Sequence, residues 1–144
     1  MLTAQENEEI SRVGRGTLMG DFLRQFWMPA CLSSELESDG DPMRLMLLGE
    51  KLIAFRDTQG NVGIFDHRCP HRLASLFFGR NEAGGIRCPY HGWKFDVTGK
   101  CLDQPNLTDK HKFPARRVRE DGASSLRFVC LSVLGHLPDR TDGE

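Results

Sequence analysis

An excess of either charge, a long apolar run and an even set of cysteines are all missing from this sequence, and each absence removes a class of protein. Its 144 residues carry 19 Lys+Arg against 20 Asp+Glu, a formal net charge of −1. That balance argues against a general nucleic-acid or membrane-surface role. No stretch approaches the roughly 20 apolar residues of a spanning helix. The opening, Met1-Leu2-Thr3-Ala4-Gln5-Glu6-Asn7-Glu8-Glu9, has neither the basic flank nor the apolar run of a secretory signal. The expectation is a cytoplasmic protein with no nucleic-acid and no membrane partner. Five cysteines are an odd number, and Cys31, Cys101 and Cys130 show no pairing spacing, which suits a reducing compartment better than a disulfide framework. These three read as small buried hydrophobes. Repeats and low-complexity tracts are absent as well. A length near the usual domain size of about 100 to 150 residues predicts one core.

What is present is a short helical start followed by β-rich texture. Thr3 with Glu6 three residues later forms a capping box for a first helix that ends before Gly14. Leu18, Met19, Phe22, Leu23 and Phe26 recur at spacings of three and four, predicting a second helix whose apolar face meets the core or another subunit. Three runs then read as antiparallel strands: Arg44-Leu45-Met46-Leu47-Leu48, Lys51-Leu52-Ile53-Ala54-Phe55 and Val62-Gly63-Ile64-Phe65. They are separated by Gly49-Glu50 and by Asp57-Thr58-Gln59-Gly60-Asn61, as hairpins would be. Asn81 to Gly85 turns the chain back toward Ile86-Arg87-Cys88, and Val97-Thr98-Gly99 is a further hairpin turn. More strands are expected at 113–118 and 126–131, with a frayed polar tail from Pro138.

The chemistry concentrates in Cys69-Pro70-His71-Arg72 and Cys88-Pro89-Tyr90-His91-Gly92-Trp93. Each follows a predicted strand and pairs one cysteine with one histidine. Two thiolates and two imidazoles narrow the metal to zinc or a Rieske-type [2Fe-2S] cluster. Zinc knuckles usually group like ligands, C-x2-4-C and then H-x3-5-H, whereas here each loop supplies one of each kind, which favours the cluster. Replacing two thiolates by imidazoles raises the potential to about −150 to +300 mV, against roughly −400 mV for plant-type clusters. His67 stands close enough to compete as a ligand, but the Cys-x-His pattern selects His71. Arg68, Arg72, Arg80, Arg87 and Lys94 gather around the loops and could steer an acidic electron donor. Trp93 either shields the cluster or closes a small core.

At these residues the sequence resembles the Rieske non-haem iron oxygenases, specifically phthalate dioxygenase-like subunits that hydroxylate aromatic rings. The resemblance covers residues 1 to 118. It rests on Arg12-Val13-Gly14-Arg15-Gly16-Thr17-Leu18-Met19-Gly20, on 48–57, and above all on Ser75-Leu76-Phe77-Phe78-Gly79-Arg80-Asn81-Glu82 leading to Cys88 through Asp96. It implies a mostly β fold: a Rieske-type antiparallel β-sandwich with two cluster-binding loops, preceded by short N-terminal helices. It also implies a division into a helical segment (1–28), a Rieske [2Fe-2S] domain (29–120) and an atypical C-terminal extension or truncated end (121–144). By the same resemblance Cys69 and Cys88 ligate the buried iron, and His71 and His91 the outer one near the domain tip. The implied partners are an NAD(P)H-dependent flavin/iron-sulfur reductase as donor and a catalytic oxygenase domain or subunit as acceptor, with a homo-oligomer expected. Respiratory relatives add a disulfide at positions equivalent to Ala74 and Tyr90, which this sequence cannot form. Leu73, where many relatives have Gly, departs from the pattern without removing a ligand.

The family's mononuclear Fe(II) needs two histidines and a carboxylate in an Asp/Glu-x2-His-x4-His arrangement, and neither His111 nor His136 belongs to one. The expectation is therefore electron transfer without a catalytic mononuclear iron domain, and a truncated or frame-disrupted reading of a longer gene accounts for it. Two alternatives remain at this point. One is a stand-alone Rieske ferredoxin-like carrier. The other is a structural zinc module or nonfunctional fragment.

Overall fold

The computed structural model describes residues 1–105, 107, 108, 127–131 and 139–140. Thr3 caps helix α1 (Ala4–Ser11) with both hydrogen bonds of the expected box. Helix α2 (Leu18–Leu23) is shorter than its apolar periodicity predicts and gives way to strand β1 (Trp27–Leu32). Its stripe does not enter the core, since Leu18, Phe22 and Phe26 are 75%, 51% and 52% exposed. The core-facing half of the expectation is thereby corrected, and the exposed stripe leaves the subunit-facing half standing. The reason lies in what is buried instead: Arg24 donates to the carbonyls of Val13 and Gly20 and to Glu50 Oε1. That network turns the opposite side of α2 inward.

Strands β2 (Met43–Leu47), β3 (Glu50–Arg56) and β4 (Val62–Asp66) form the predicted antiparallel meander, in the order β2-β3-β4. The first hairpin turns at Leu48 and Gly49, both with left-handed backbone (φ 46° and 79°), one residue earlier than expected. Such a two-residue turn matches the right-handed twist of its strands. Leu52-Ile53-Ala54-Phe55 is buried throughout rather than alternately, because both faces of this sheet are covered.

One face packs against a second sheet, β5 (Arg80–Glu82), β6 (Gly85–Arg87), β7 (Lys94–Phe95) and β8 (Cys101–Asp103), in sequential antiparallel order. Ile53, Phe55 and Phe65 meet Leu76, Ile86, Trp93 and Phe95 there, together with Cys69 and Cys88. On the other face Leu52, Ala54, Val62 and Ile64 pack on Leu36, with Met28 and Ala30 of β1 beside them. Asn81 ties the sheets, its amide donating to the carbonyls of Gly40 and Arg56 at 3.1 and 2.6 Å.

β1 pairs in parallel with β9 (Arg127–Leu131), which pairs antiparallel with β10 (Asp139–Arg140). Among the described strands this parallel pair departs from otherwise antiparallel pairing. The strand expected at 113–118 lies outside the described residues, as do the side chain of Cys130, His111, His136 and the 120/121 boundary. Cys101 is buried as expected, whereas Cys31 is half-buried. Among the described residues no helix is long and apolar enough to cross a membrane.

Candidate metal centre

Two loops of the same construction carry the Cys-His pairs. The first leaves β4, where Asp66 Oδ1 accepts the Arg68 amide at 2.7 Å. In it the Cys69 amide donates to the Ala74 carbonyl at 2.8 Å, and the Leu73 amide donates back to the Cys69 carbonyl at 2.8 Å. In the second, which leaves β6, the Cys88 amide donates to the Trp93 carbonyl at 2.8 Å and the Gly92 amide to the Cys88 carbonyl at 3.1 Å. The fourth residue after each cysteine has left-handed backbone, Leu73 at φ 58° and Gly92 at φ 73°. Only glycine adopts that conformation without a steric cost. The departure noted at Leu73 is therefore a strained copy of Gly92.

This shared geometry sends both cysteines inward and both histidines outward. Cys69 and Cys88 are 1% and 3% exposed. Burial foremost, with the neighbouring Cys88 adding to it, pushes the Cys69 thiol up to about 12, against partial relief from the His71 and Arg72 amides. The imidazoles of His71 and His91 lie half-buried with ring centroids 4.7 Å apart. Burial, then the charges of His91 and Arg72, hold His71 below its ordinary value. Trp93 stacks on His71 at 4.6 Å with the planes 3° apart. It is also buried in the core, so it closes the core and walls the imidazole at once. His67, by contrast, lies in a groove with Lys51 and Phe78, with its Nε2 accepting from Arg68 Nε at 3.4 Å.

The donors sort into two neighbouring thiols and two neighbouring imidazoles. Among the described residues no three His, Cys, Asp or Glu converge as a single-ion site. A two-plus-two set fits a binuclear cluster, in which each iron takes two protein ligands, better than a tetrahedral zinc ion that gathers four ligands on one point.

The basic residues gathered in sequence do not act as one patch. Arg87 Nε donates to Glu82 at 2.8 Å, and its Nη1 to the Gly92 carbonyl at 2.7 Å and to Asp103 at 3.0 Å. The Glu82 hydrogen bond first, then that of Asp103, raises its pKa further. Arg87 thus clamps the second loop to β8, a role its spacing did not signal. Lys94 is buried and donates to the Ala83 carbonyl. Only Arg68, Arg72 and Arg80 of that set are exposed, and Arg80 faces Glu82 at 3.6 Å.

Comparison with known proteins agrees with this geometry. The family model for the Rieske [2Fe-2S] domain matches residues 26–114. The chain is 56% identical over 113 residues to the 3-chlorobenzoate-3,4-dioxygenase oxygenase subunit of Comamonas testosteroni, covering 78% of this chain and 26% of that relative. It is 46% identical over 129 residues to the phthalate 4,5-dioxygenase oxygenase subunit of Pseudomonas putida, covering 85% of this chain and 29% of the relative. A crystal structure of dicamba monooxygenase with non-heme iron and dicamba superimposes with a TM-score of 0.55 at 37% identity, over 60% of this chain and 26% of that one. The chain thus spans less than a third of these relatives' length. With its paired loops, inward thiols and outward imidazoles, the chain belongs to the Rieske [2Fe-2S] domain family and, within it, stands among the aromatic-ring oxygenase subunits.

Proposed function

We propose that Cys69 and Cys88 hold one iron of a [2Fe-2S] cluster, that His71 and His91 hold the other, and that the chain relays single electrons within an aromatic-ring-hydroxylating oxygenase. The observation that carries this reading is the pairing itself: buried thiols side by side, and imidazoles 4.7 Å apart toward the surface. When bound, the cluster supplies a one-electron couple whose potential the imidazoles raise. The residues around it do the rest. The apolar core excludes water from the thiol side, Trp93 fixes the plane of His71, and Arg87 holds the second loop in place. Rigid ligands mean little rearrangement accompanies a change of charge.

In this reading an NAD(P)H-dependent flavin/iron-sulfur reductase is the donor, and a catalytic oxygenase domain or subunit carrying mononuclear iron is the acceptor. Residues 29–120 form the cluster domain, after a helical segment at 1–28 and before an extension at 121–144. A homo-oligomer in the cytoplasm, where its thiols stay reduced, completes the reading. Purified protein tests it. A red-brown colour and an electron paramagnetic resonance signal on reduction are expected, and both vanish in Cys69→Ser and His91→Ala. Cys101 is also buried in the core, so Cys101→Ser serves as the matched control and keeps the signal. Colourless protein carrying stoichiometric zinc, or a His91→Ala variant with the full signal, refutes the assignment.

A further inference from the structure

Two cations that the metal centre does not use share one groove. This groove, of about 500 Å³, is lined by Arg44, Met46 and Lys51 from the first hairpin and by His67, Ser75 and Phe78 from the segment around the first loop, and no acidic residue lines it. The Arg44 guanidinium lies 3.9 Å from the Phe77 ring centroid and 5.2 Å from that of Phe78. Among the described residues neither it nor the Lys51 ammonium has a hydrogen-bond or carboxylate partner. Stacking fixes the place of the Arg44 charge and leaves its N–H edge open to an incoming carboxylate. Met46 and Phe78, 61% and 65% exposed, add an apolar rim. Phe77, under Arg44, packs on the core that contains Cys69 and Cys88. The groove therefore borders the core that holds the thiols.

We propose that this groove docks the acidic iron-sulfur protein that donates the electron, its carboxylates meeting Arg44 and Lys51 while an apolar side chain seats between Met46 and Phe78. Charge complementarity argues for this occupant, and a fixed cation beside an exposed apolar anchor is what an electrostatically steered interface presents. The inference rests on the relay reading and adds the point of entry. One electron leaves the reduced donor and is taken up at the Cys69, Cys88, His71 and His91 centre, with no bond made or broken.

The test titrates an acidic plant-type [2Fe-2S] ferredoxin into the full chain by calorimetry, at low salt and at about 0.3 M salt, where the Debye length is short. Saturable binding that weakens with salt is expected. Arg44→Gln and Lys51→Gln should each raise Kd about two- to fivefold at low salt, Met46→Gln should weaken binding without changing its salt dependence, and Lys100→Gln should leave it unchanged. Stopped-flow reduction by the same ferredoxin should follow Kd, while reduction by dithionite stays constant. Absent binding, equal affinity of Arg44→Gln, Lys51→Gln and wild type, or an equal loss in Lys100→Gln overturns the proposal. Arg44-dependent binding by a chain without the reduced-state resonance signal would instead refute the relay and leave the docking site standing.

Discussion

Gly85→Ala adds one methyl group where the start of β6 lies against the backbone at the end of β7. An alanine Cβ there would stand 2.3 Å from the Phe95 carbonyl oxygen, 2.9 Å from its carbon and 3.3 Å from Asp96 Cα. All three are backbone atoms, so no side-chain rotation relieves the clash, and β7 must move by about 1 Å to restore ordinary contact. Phe95 is fully buried, and the Trp93 carbonyl just before it holds the Cys88 amide. Overpacking a core costs about 1 to 3 kcal/mol when side chains can yield. Here the rigid neighbour sets the expectation at about 3 kcal/mol, a large part of the roughly 5 to 15 kcal/mol that stabilises a domain. Urea unfolding followed by tryptophan fluorescence measures it, and the reduced resonance signal per chain should fall in parallel because the second loop shifts. Gly14→Ala is the control: nothing lies within 4 Å of its added Cβ and its backbone is not left-handed, so a change within about 0.5 kcal/mol is expected. Gly85→Ala unfolding within about 0.5 kcal/mol of wild type, with a full signal, would show the reasoning to be wrong.

Leu73→Gly should stabilise the protein by about 0.5 to 1 kcal/mol, since relief of left-handed strain exceeds the added chain entropy and the exposed side chain contributes little; a loss of stability in thermal melts would contradict this. Leu76→Ala, at a position with no exposure, should cost about 2 to 5 kcal/mol by leaving a cavity beside Cys69, measured by the same urea titration. At Glu50, burial alone would raise the carboxyl pKa, but hydrogen bonds from Arg15 and Arg24, and then their charges, outweigh it and hold it below its ordinary value of 4.5. A carboxylate with a lower pKa folded than unfolded contributes fully above that unfolded value, and the contribution is lost as pH falls through the lowered one. Stability should therefore decline below about pH 4.5, and Glu50→Gln should flatten that limb in pH-dependent unfolding. Arg24→Met leaves Glu50 paired with Arg15 but removes the buried bonds to the Val13 and Gly20 carbonyls, and should cost about 1 to 3 kcal/mol at pH 7; a neutral result would mean that the Arg24 network contributes nothing.

Much of this was legible in the chain because local signals and final packing agree. The capping box at Thr3 and the alternation of short strands with Gly-rich breaks are written within a few residues of where they act. Other features depend on partners far away in sequence. The apolar stripe of Leu18, Phe22 and Phe26 reads as a face for the core or another subunit, and the Arg24–Glu50 ion pair takes the place it would have had in this chain's core. Arg87 and Lys94 read as free charge, yet Glu82, Asp103 and the Ala83 carbonyl occupy them. Arg44 and Lys51 lie on separate strands, and only their register beside Phe78 made a groove.

The sequence by itself narrowed the metal chemistry to a [2Fe-2S] cluster or zinc, because thiol and imidazole donors are fixed by residue type and each loop supplies one of each. Tertiary structure decided where those donors sit. Two loops with one hydrogen-bond pattern bury their cysteines and turn their histidines outward, a relation between residues 69–74 and 88–93 that no local rule encodes. Which cations are free was decided there too, since a charge is spent or available only once its neighbours are in place.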